Sequence, residues 1–294
     1  MTTFPTLGII AGGGVLPALV AETGRNQGRT VVAVGFPDDT DPDLPRAVDH
    51  FTWLKLGQLG KLISFFKKHG VQEVVLAGSI NKPRALNIRP DFRAARLLFS
   101  LKRRSDDSLL RVVASELQKE GMSVVSAQPF APQLATPAGI LTKTVPTREQ
   151  WKEIFYGWPI ARDLGRHDIG QSLIVKEQMV IAVEAIEGTD ATIRRGGELG
   201  GAGCTLIKVF KPGQDNRIDL PSIGLNTVRL LAEARGTCLA VEAEKSLFFD
   251  KEEAVRFADQ NGITIVGVTA KLLREYGVRY REKQRAPHHV MNPS

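Results

Sequence analysis

Two cysteines, Cys204 and Cys238, are all that the 294 residues contain. They lie far apart without metal-ligand spacing, which excludes a disulfide framework and a Cys/His zinc site and fits a reduced cytoplasmic compartment. Long apolar runs are also missing, since no segment reaches the ~18–20 uninterrupted apolar residues of a membrane span. The apolar opening, Leu7–Val20, is broken by Gly12, Gly13, Gly14 and Pro17, and no Lys or Arg precedes Arg25. It therefore reads as a strand, a glycine loop and a helix rather than a signal peptide. Repeats and low-complexity tracts are absent. With 24 % charged and 43 % hydrophobic residues, the chain also lacks the composition of a disordered one.

The length exceeds the ~100–200 residues usual for one domain, so two domains are expected. Thirty-nine Lys and Arg against 32 Asp and Glu give a net charge of +7, which favours anionic partners. Part of the excess is local: Lys271, Arg274, Arg279, Arg281, Lys283 and Arg285 face only Glu275 and Glu282. A solvated, frayed tail over 271–294 is the plainer reading of this stretch, and a surface patch for membrane or nucleic acid the alternative.

Short β-branched runs alternate with helical patterns through the first third: Leu7–Ala11, a helix from Leu16 to Asn26, Val31–Val34, a helix from Leu59 to His69, then Val71–Ala77. Strands apolar throughout and separated by helices predict a parallel sheet covered on both faces. The fold class is thus α/β, with a Rossmann-like parallel-sheet domain over 1–131. Pro132, Pro137, Gly139 and Pro146 predict a linker over 132–147. A second α/β domain follows over 148–270, with a helix spanning Arg148–Gly165, strands at Ser172–Lys176, Val180–Ala185, Thr205–Phe210, Cys238–Glu242 and Thr264–Val268, and helices at Leu225–Arg235 and Lys251–Asn261.

Several motifs carry chemistry. Gly12, Gly13 and Gly14 form a strand–turn–helix junction at which backbone amides can approach a phosphate. A dinucleotide fingerprint would need glycine where Pro17 stands and an acid where Gly35-Phe36-Pro37 follows the second strand, so NAD binding is disfavoured. Asn81, Lys82 and Arg84 follow the Val71–Ala77 strand at the same sheet edge, where they suit sugar hydroxyls and phosphate. Ser105-Asp106-Asp107-Ser108 opens a helix over Ser108–Lys119, and capping explains one carboxylate but not two. Arg166-His167-Asp168-Ile169-Gly170-Gln171 precedes one strand of the second domain. Glu184, Glu187 and Asp190 recur at every third position after another, and carboxylates gathered at a strand end can hold a divalent metal. Arg194, Arg195 and Arg217 suit phosphate oxygens. Asp219 precedes Pro221; with Pro221 as first helical residue, the helix dipole would favour the ionised carboxylate, able to bind Mg²⁺ or to take a proton from water.

Taken in order from about residue 7 to 268, these stretches resemble the LpxI-type UDP-2,3-diacylglucosamine pyrophosphatases. The shared motifs are the Gly8–Pro17 opening, Ala77-Gly78, Asp106-Asp107 before Leu109-Leu110-Arg111, Asp168–Gln171, Val183–Asp190 and Arg217–Gly224. The resemblance implies Mg²⁺-dependent hydrolysis of UDP-2,3-diacylglucosamine to UMP and 2,3-diacylglucosamine 1-phosphate in lipid A synthesis. It implies Asp219 as the essential carboxylate, with Glu184, Glu187, Thr189 and Asp190 lining the site. Gly12, Gly13, Gly14, Asn81, Arg84, Thr189, Arg194, Arg195 and Arg217 are the expected substrate contacts, and Asp219, Asp190, Glu187 and Glu184 the expected metal ligands. The expected partners are a UDP-linked, diacylated glucosamine, the anionic inner membrane surface as a peripheral contact, and a second copy in a homodimer, with no nucleic acid. Two rival readings stay open: an NAD(P)-dependent oxidoreductase, and a non-catalytic nucleotide-sugar-binding module.

Overall fold

The computed structural model describes residues 4–80, 90–100, 106–218 and 220–285. The chain divides into two compact units, Met1–Gln133 with Gln214–Leu220, and Leu134–Gly213 with Pro221–Ser294.

The first unit is built on five strands, β1 (Leu7–Ala11), β2 (Val31–Gly35), β3 (His50–Trp53), β4 (Glu73–Ala77) and β5 (Ser123–Val124), in the order β3-β2-β1-β4-β5. Every pairing is parallel, as strands buried on both faces require. Helices α1 (Leu16–Asn26), α2 (Leu59–Lys68), α3 (Phe92–Ser100) and α4 (Asp106–Lys119) accompany it among the described residues. Val32, Val34, Val74 and Val124 pack against Leu62, Ile63, Phe66 and Leu117. Ile218, from the returning segment, sits in this same core and is 6 % exposed.

The second unit carries a six-stranded sheet ordered β6 (Gly139–Ile140), β13 (Thr264–Val268), β11 (Cys238–Glu242), β9 (Thr205–Lys208), β7 (Ser172–Lys176) and β8 (Met179–Val183). Strands β9, β11 and β13 run parallel, while β6, β7 and β8 each pair antiparallel with their neighbours. Helices α6 (Thr189–Gly200), α7 (Leu225–Glu233) and α8 (Lys251–Gln260) cover one face. There Ile193, Val228, Leu231 and Ala254 meet Ile174, Leu206, Leu239 and Ile265. Alternate strand residues turn to the other face. On it, Leu173, Ile207, Ala240 and Val266 meet Trp151, Ile154 and Trp158 of α5 (Arg148–Arg166). A short parallel pair, β10 (Ser222–Ile223) with β12 (Leu247–Phe248), stands apart.

Four expectations are corrected. The chain divides within the Pro- and Gly-rich stretch 132–147 as expected, after Gln133, but the rest of that stretch is not a linker: β6 pairs with β13 and Ala135 bridges Leu247. The segment Gln214–Leu220, expected in the second domain, groups with the first unit. Pro221 does not start a helix, because β10 intervenes and α7 begins at Leu225 after Gly224. Finally, 271–285 is no frayed tail but lies in a helix, α9 (Ala270–Arg285). It is held by Leu272, Leu273 and Tyr276 against the α5 face, with the Tyr276 ring stacked on Trp151 at 4.2 Å.

Candidate active site

In the first unit, the loops after β1 and β4 meet at the carboxyl edge, where the strand order reverses and α/β sheets collect ligands. The Gly12 amide donates to Ala77 O at 2.7 Å, the Gly13 amide to Ser79 O at 2.7 Å, and the Ser79 amide returns to Gly13 O at 3.1 Å. A Cβ on Gly12 would stand 2.5 Å from Ser79 O, so glycine is needed there for the close approach of two backbones. Two of the three glycines thus donate their amides inside the fold, whereas Gly14, with φ +86°, borders open space. Of the residues expected beside them, Asn81, Lys82, Arg84 and Ser105 lie outside the described residues.

The denser group is at the carboxyl edge of the second sheet. Because β7 runs antiparallel to β9, Ser172 at the start of one strand pairs with Lys208 at the end of the other. Strand β8 returns its own end to the same edge, and the Glu184 amide donates to Ser172 O at 2.9 Å. Gly170 lies so close to this turn that a Cβ would sit 2.0 Å from Glu184 O. The loop 184–188 then delivers Thr189, the first residue of α6. Lys208 Nζ donates to Thr189 Oγ1 at 3.0 Å, and that hydroxyl donates to Glu184 Oε1 at 3.2 Å. The Ser172 hydroxyl lies 3.5 Å from it.

Lys208, Glu184 and Ser172 are buried, at 6, 7 and 1 % exposure. Glu184 Oε2 and Gln171 Oε1 are buried with no hydrogen-bond partner among the described residues. An unsatisfied buried polar atom costs about 1–3 kcal/mol. Atoms of this kind call for a partner such as an ordered water, a ligand or an ion. Beside them the first turn of α6 presents amides that the helix itself cannot satisfy, a setting that favours anions. Next along the edge, Glu242 is also buried but already answered by Arg162, Lys245 and the Phe210 amide.

The other expected residues have more local partners. Glu187 accepts from the Ala185 amide at 3.2 Å and from Arg195 Nη2 at 2.5 Å; its own backbone amide, then Arg195, hold its carboxyl below the usual range. Arg195 also donates to Val183 O, bracing the loop between β8 and α6. Asp190 accepts from Asn226 Nδ2 at 3.1 Å, and Arg194 is exposed on α6. Arg217 forks onto Asp215 through Nε and Nη2, which holds the Asp215 carboxyl below its ordinary value. Asp219 lies outside the described residues. Among the described residues no three His, Cys, Asp or Glu side chains gather as a metal-ligand cluster. Sequence reasoning missed Lys208 and Ser172. The available signal was a lysine closing an otherwise apolar strand, Thr205-Leu206-Ile207-Lys208.

A buried lysine, two hydroxyls and a carboxylate with one unpartnered oxygen, gathered at the carboxyl edge of a sheet next to a helix start, define the class: a two-unit α/β protein with a polar cluster at the edge where such sheets collect ligands. Residues 6–134 match the LpxI N-terminal domain and 137–266 the LpxI C-terminal domain. UDP-2,3-diacylglucosamine pyrophosphatase LpxI of Caulobacter vibrioides is 36 % identical over 276 residues, spanning 89 % of this chain and 97 % of its own. The chain belongs to the LpxI family. Two solved structures are more distant. The biotin carboxylase domain of a thermophilic 2-oxoglutarate carboxylase bound to ADP aligns over 58 % of this chain and 35 % of its own, at 8 % identity and TM-score 0.26. N5-carboxyaminoimidazole synthetase from Staphylococcus aureus with ADP aligns over 70 % and 46 %, at 10 % identity and TM-score 0.27. At these scores neither carries an argument.

Proposed function

We propose that this chain hydrolyses the pyrophosphate of UDP-2,3-diacylglucosamine, releasing UMP and 2,3-diacylglucosamine 1-phosphate, a step of lipid A synthesis. The observation that carries the reading is the match of both halves to one family, together with 36 % identity across 97 % of a pyrophosphatase of that family. The second-unit cluster supports it chemically. Water must add to one phosphorus while the bridging P–O bond breaks, and the negative oxygens must be neutralised as this happens. The Lys208 ammonium, the Thr189 hydroxyl and the first amides of α6 are donors of the right kind, held by the fold before any ligand arrives. Asp219 keeps the essential place that the family resemblance implies, as a carboxylate able to bind Mg²⁺ or to take the proton of the attacking water.

Magnesium belongs to the proposal on its donor chemistry. The unpartnered Oε2 of Glu184 is a hard oxygen ligand, and Asp190 has one oxygen, Oδ2, engaged by Asn226. These two residues would hold the ion within the second unit, whereas Glu187 is braced by Arg195. When bound, the ion supplies positive charge to phosphate oxygens. Attachment to the inner membrane surface and a homodimer complete the proposal; no helix among the described residues is long and apolar enough to cross a membrane. The test is UMP release from the purified chain with Mg²⁺ and with a chelator, beside Asp219→Ala. Activity is expected to fall at least ~10²-fold in the variant and in chelator. Full activity of Asp219→Ala removes that residue, full activity in chelator removes the metal, and no UMP from the wild type removes the reading.

A further inference from the structure

Among the described residues, helix α3 is attached to the first unit by its inner side. Ala94 is buried in the core with Leu97 against it, and Arg93 reaches Glu116 at 2.8 Å and pairs with Glu120. Asp91 caps the start, accepting the Ala94 amide at 2.9 Å while its other oxygen takes the Gly60 amide of α2 at 2.7 Å. None of these contacts needs the outer side. There Phe92 and Phe99 stand 88 and 84 % exposed, the two most exposed large hydrophobic side chains among the described residues. Arg96, also exposed, lies between them. Positions 92, 96 and 99 are spaced i, i+4 and i+7, so both rings and the guanidinium share one helix face.

A single surface phenylalanine needs no explanation, but two aligned along a helix without an acid form a pattern. The helix sequence, Phe92-Arg-Ala-Ala-Arg-Leu-Leu-Phe-Ser100, holds no carboxylate, and the chain continues as Leu101-Lys102-Arg103-Arg104. Aromatic rings with interleaved cations match the boundary layer of an anionic bilayer, where rings enter the acyl region and guanidinium groups meet lipid phosphates. A second copy is a poorer occupant, because a two-fold contact on this face would set Arg96 against its own like. We propose that the Phe92–Arg96–Phe99 face of α3 is the surface by which this chain docks on an anionic lipid membrane. The proposal rests on the reading above, in which the substrate is a diacylated lipid.

The experiment is co-sedimentation of the full chain with vesicles of equal parts phosphatidylglycerol and phosphatidylcholine, against phosphatidylcholine alone. UMP release is measured in parallel from substrate dispersed in detergent. Wild-type protein should sediment with the anionic vesicles and be released by salt. Phe92→Ser with Phe99→Ser should weaken binding at least ~10-fold, and Arg96→Gln about 5-fold. Both variants should keep the wild-type unfolding temperature and full activity in detergent. Wild type that ignores anionic vesicles, or binds neutral ones equally, overturns the proposal. So do a serine variant that binds as wild type does, and one that changes only the oligomeric state. A wild type inactive in detergent defeats the enzymatic reading instead, whatever the vesicles show.

Discussion

Replacing Gly170 by alanine tests whether the turn carrying Glu184 must hold its position. The added Cβ would lie 2.0 Å from Glu184 O, 2.7 Å from its carbonyl carbon and 3.2 Å from its Cβ. Ordinary contact begins near 3.4 Å, so the two backbones must part by about 1.4 Å. Both sides resist. The Glu184 amide is tied to Ser172 O, and the Val209 amide to Gln171 O beside the glycine. Overpacking of this kind costs about 1–3 kcal/mol. A shift of about 1 Å in a positioned group lowers rate by about 10². Gly170→Ala should therefore lose at least ~10² in kcat for UMP release while its unfolding temperature falls by only ~2–8 °C. Kinetics and thermal unfolding on the same preparation separate the two effects. A variant with wild-type kcat and unchanged stability would show that Glu184 and its turn are not part of the site.

Lys208→Met keeps the apolar stem and removes the ammonium that holds Thr189; kcat/KM should fall ~10²–10³-fold in a folded protein. A folded variant within a few-fold of wild type would exclude Lys208. Glu153 is buried at the opposite end of β9, where Thr205 Oγ1 donates to it at 2.5 Å and the Glu177 amide at 2.8 Å. Burial raises its carboxyl above the ordinary 4.5. Its contribution to stability is therefore full below that ordinary value and lost as pH rises through the raised folded value. Glu153→Gln should accordingly gain stability relative to wild type as pH is raised from acid to neutral in urea titrations, and a constant difference across pH would refute the assignment. In the β7–β8 turn, Glu177 and Gln178 both have positive φ, 50° and 58°, as a type I′ turn requires. Gln178→Gly should stabilise by about 0.5–1 kcal/mol, with a lower unfolding temperature as the contrary result.

The first sheet was legible because β1 and β2 are apolar throughout and β4 is so after Glu73, and a run buried on both faces leaves little ambiguity. Strand β3 was not, since His50–Trp53 lies half-exposed at the sheet edge and carries no such run. Helix α6 escaped for a different reason. Gly196, Gly197, Gly200 and Gly201 lower its helix propensity, whereas in the fold the first two bring the helix onto its neighbours. A Cβ on Gly196 would meet Ile174 at 2.5 Å, and one on Gly197 would meet Ala234 at 2.6 Å. At the site, Glu184 and Thr189 were visible through their motif, but Lys208 and Ser172 come together only through antiparallel pairing of strands some 30 residues apart. Local spacing cannot report such a pairing. The basic C-terminal stretch misled because its charges mask Leu272, Leu273 and Tyr276, the residues that dock it.

The chain leaves the first unit after Gln133, returns to it at Gln214 and leaves again after Leu220. Each unit is therefore built from two separate stretches of chain, although each matches its own family domain. A chain truncated after Gln133 would lack Ile218 and open a void in its interior, at a cost of about 2–5 kcal/mol. Ancestral fusion of two ready-made modules would leave a single seam. With three crossings, a cut at any one of them separates stretches that share a core.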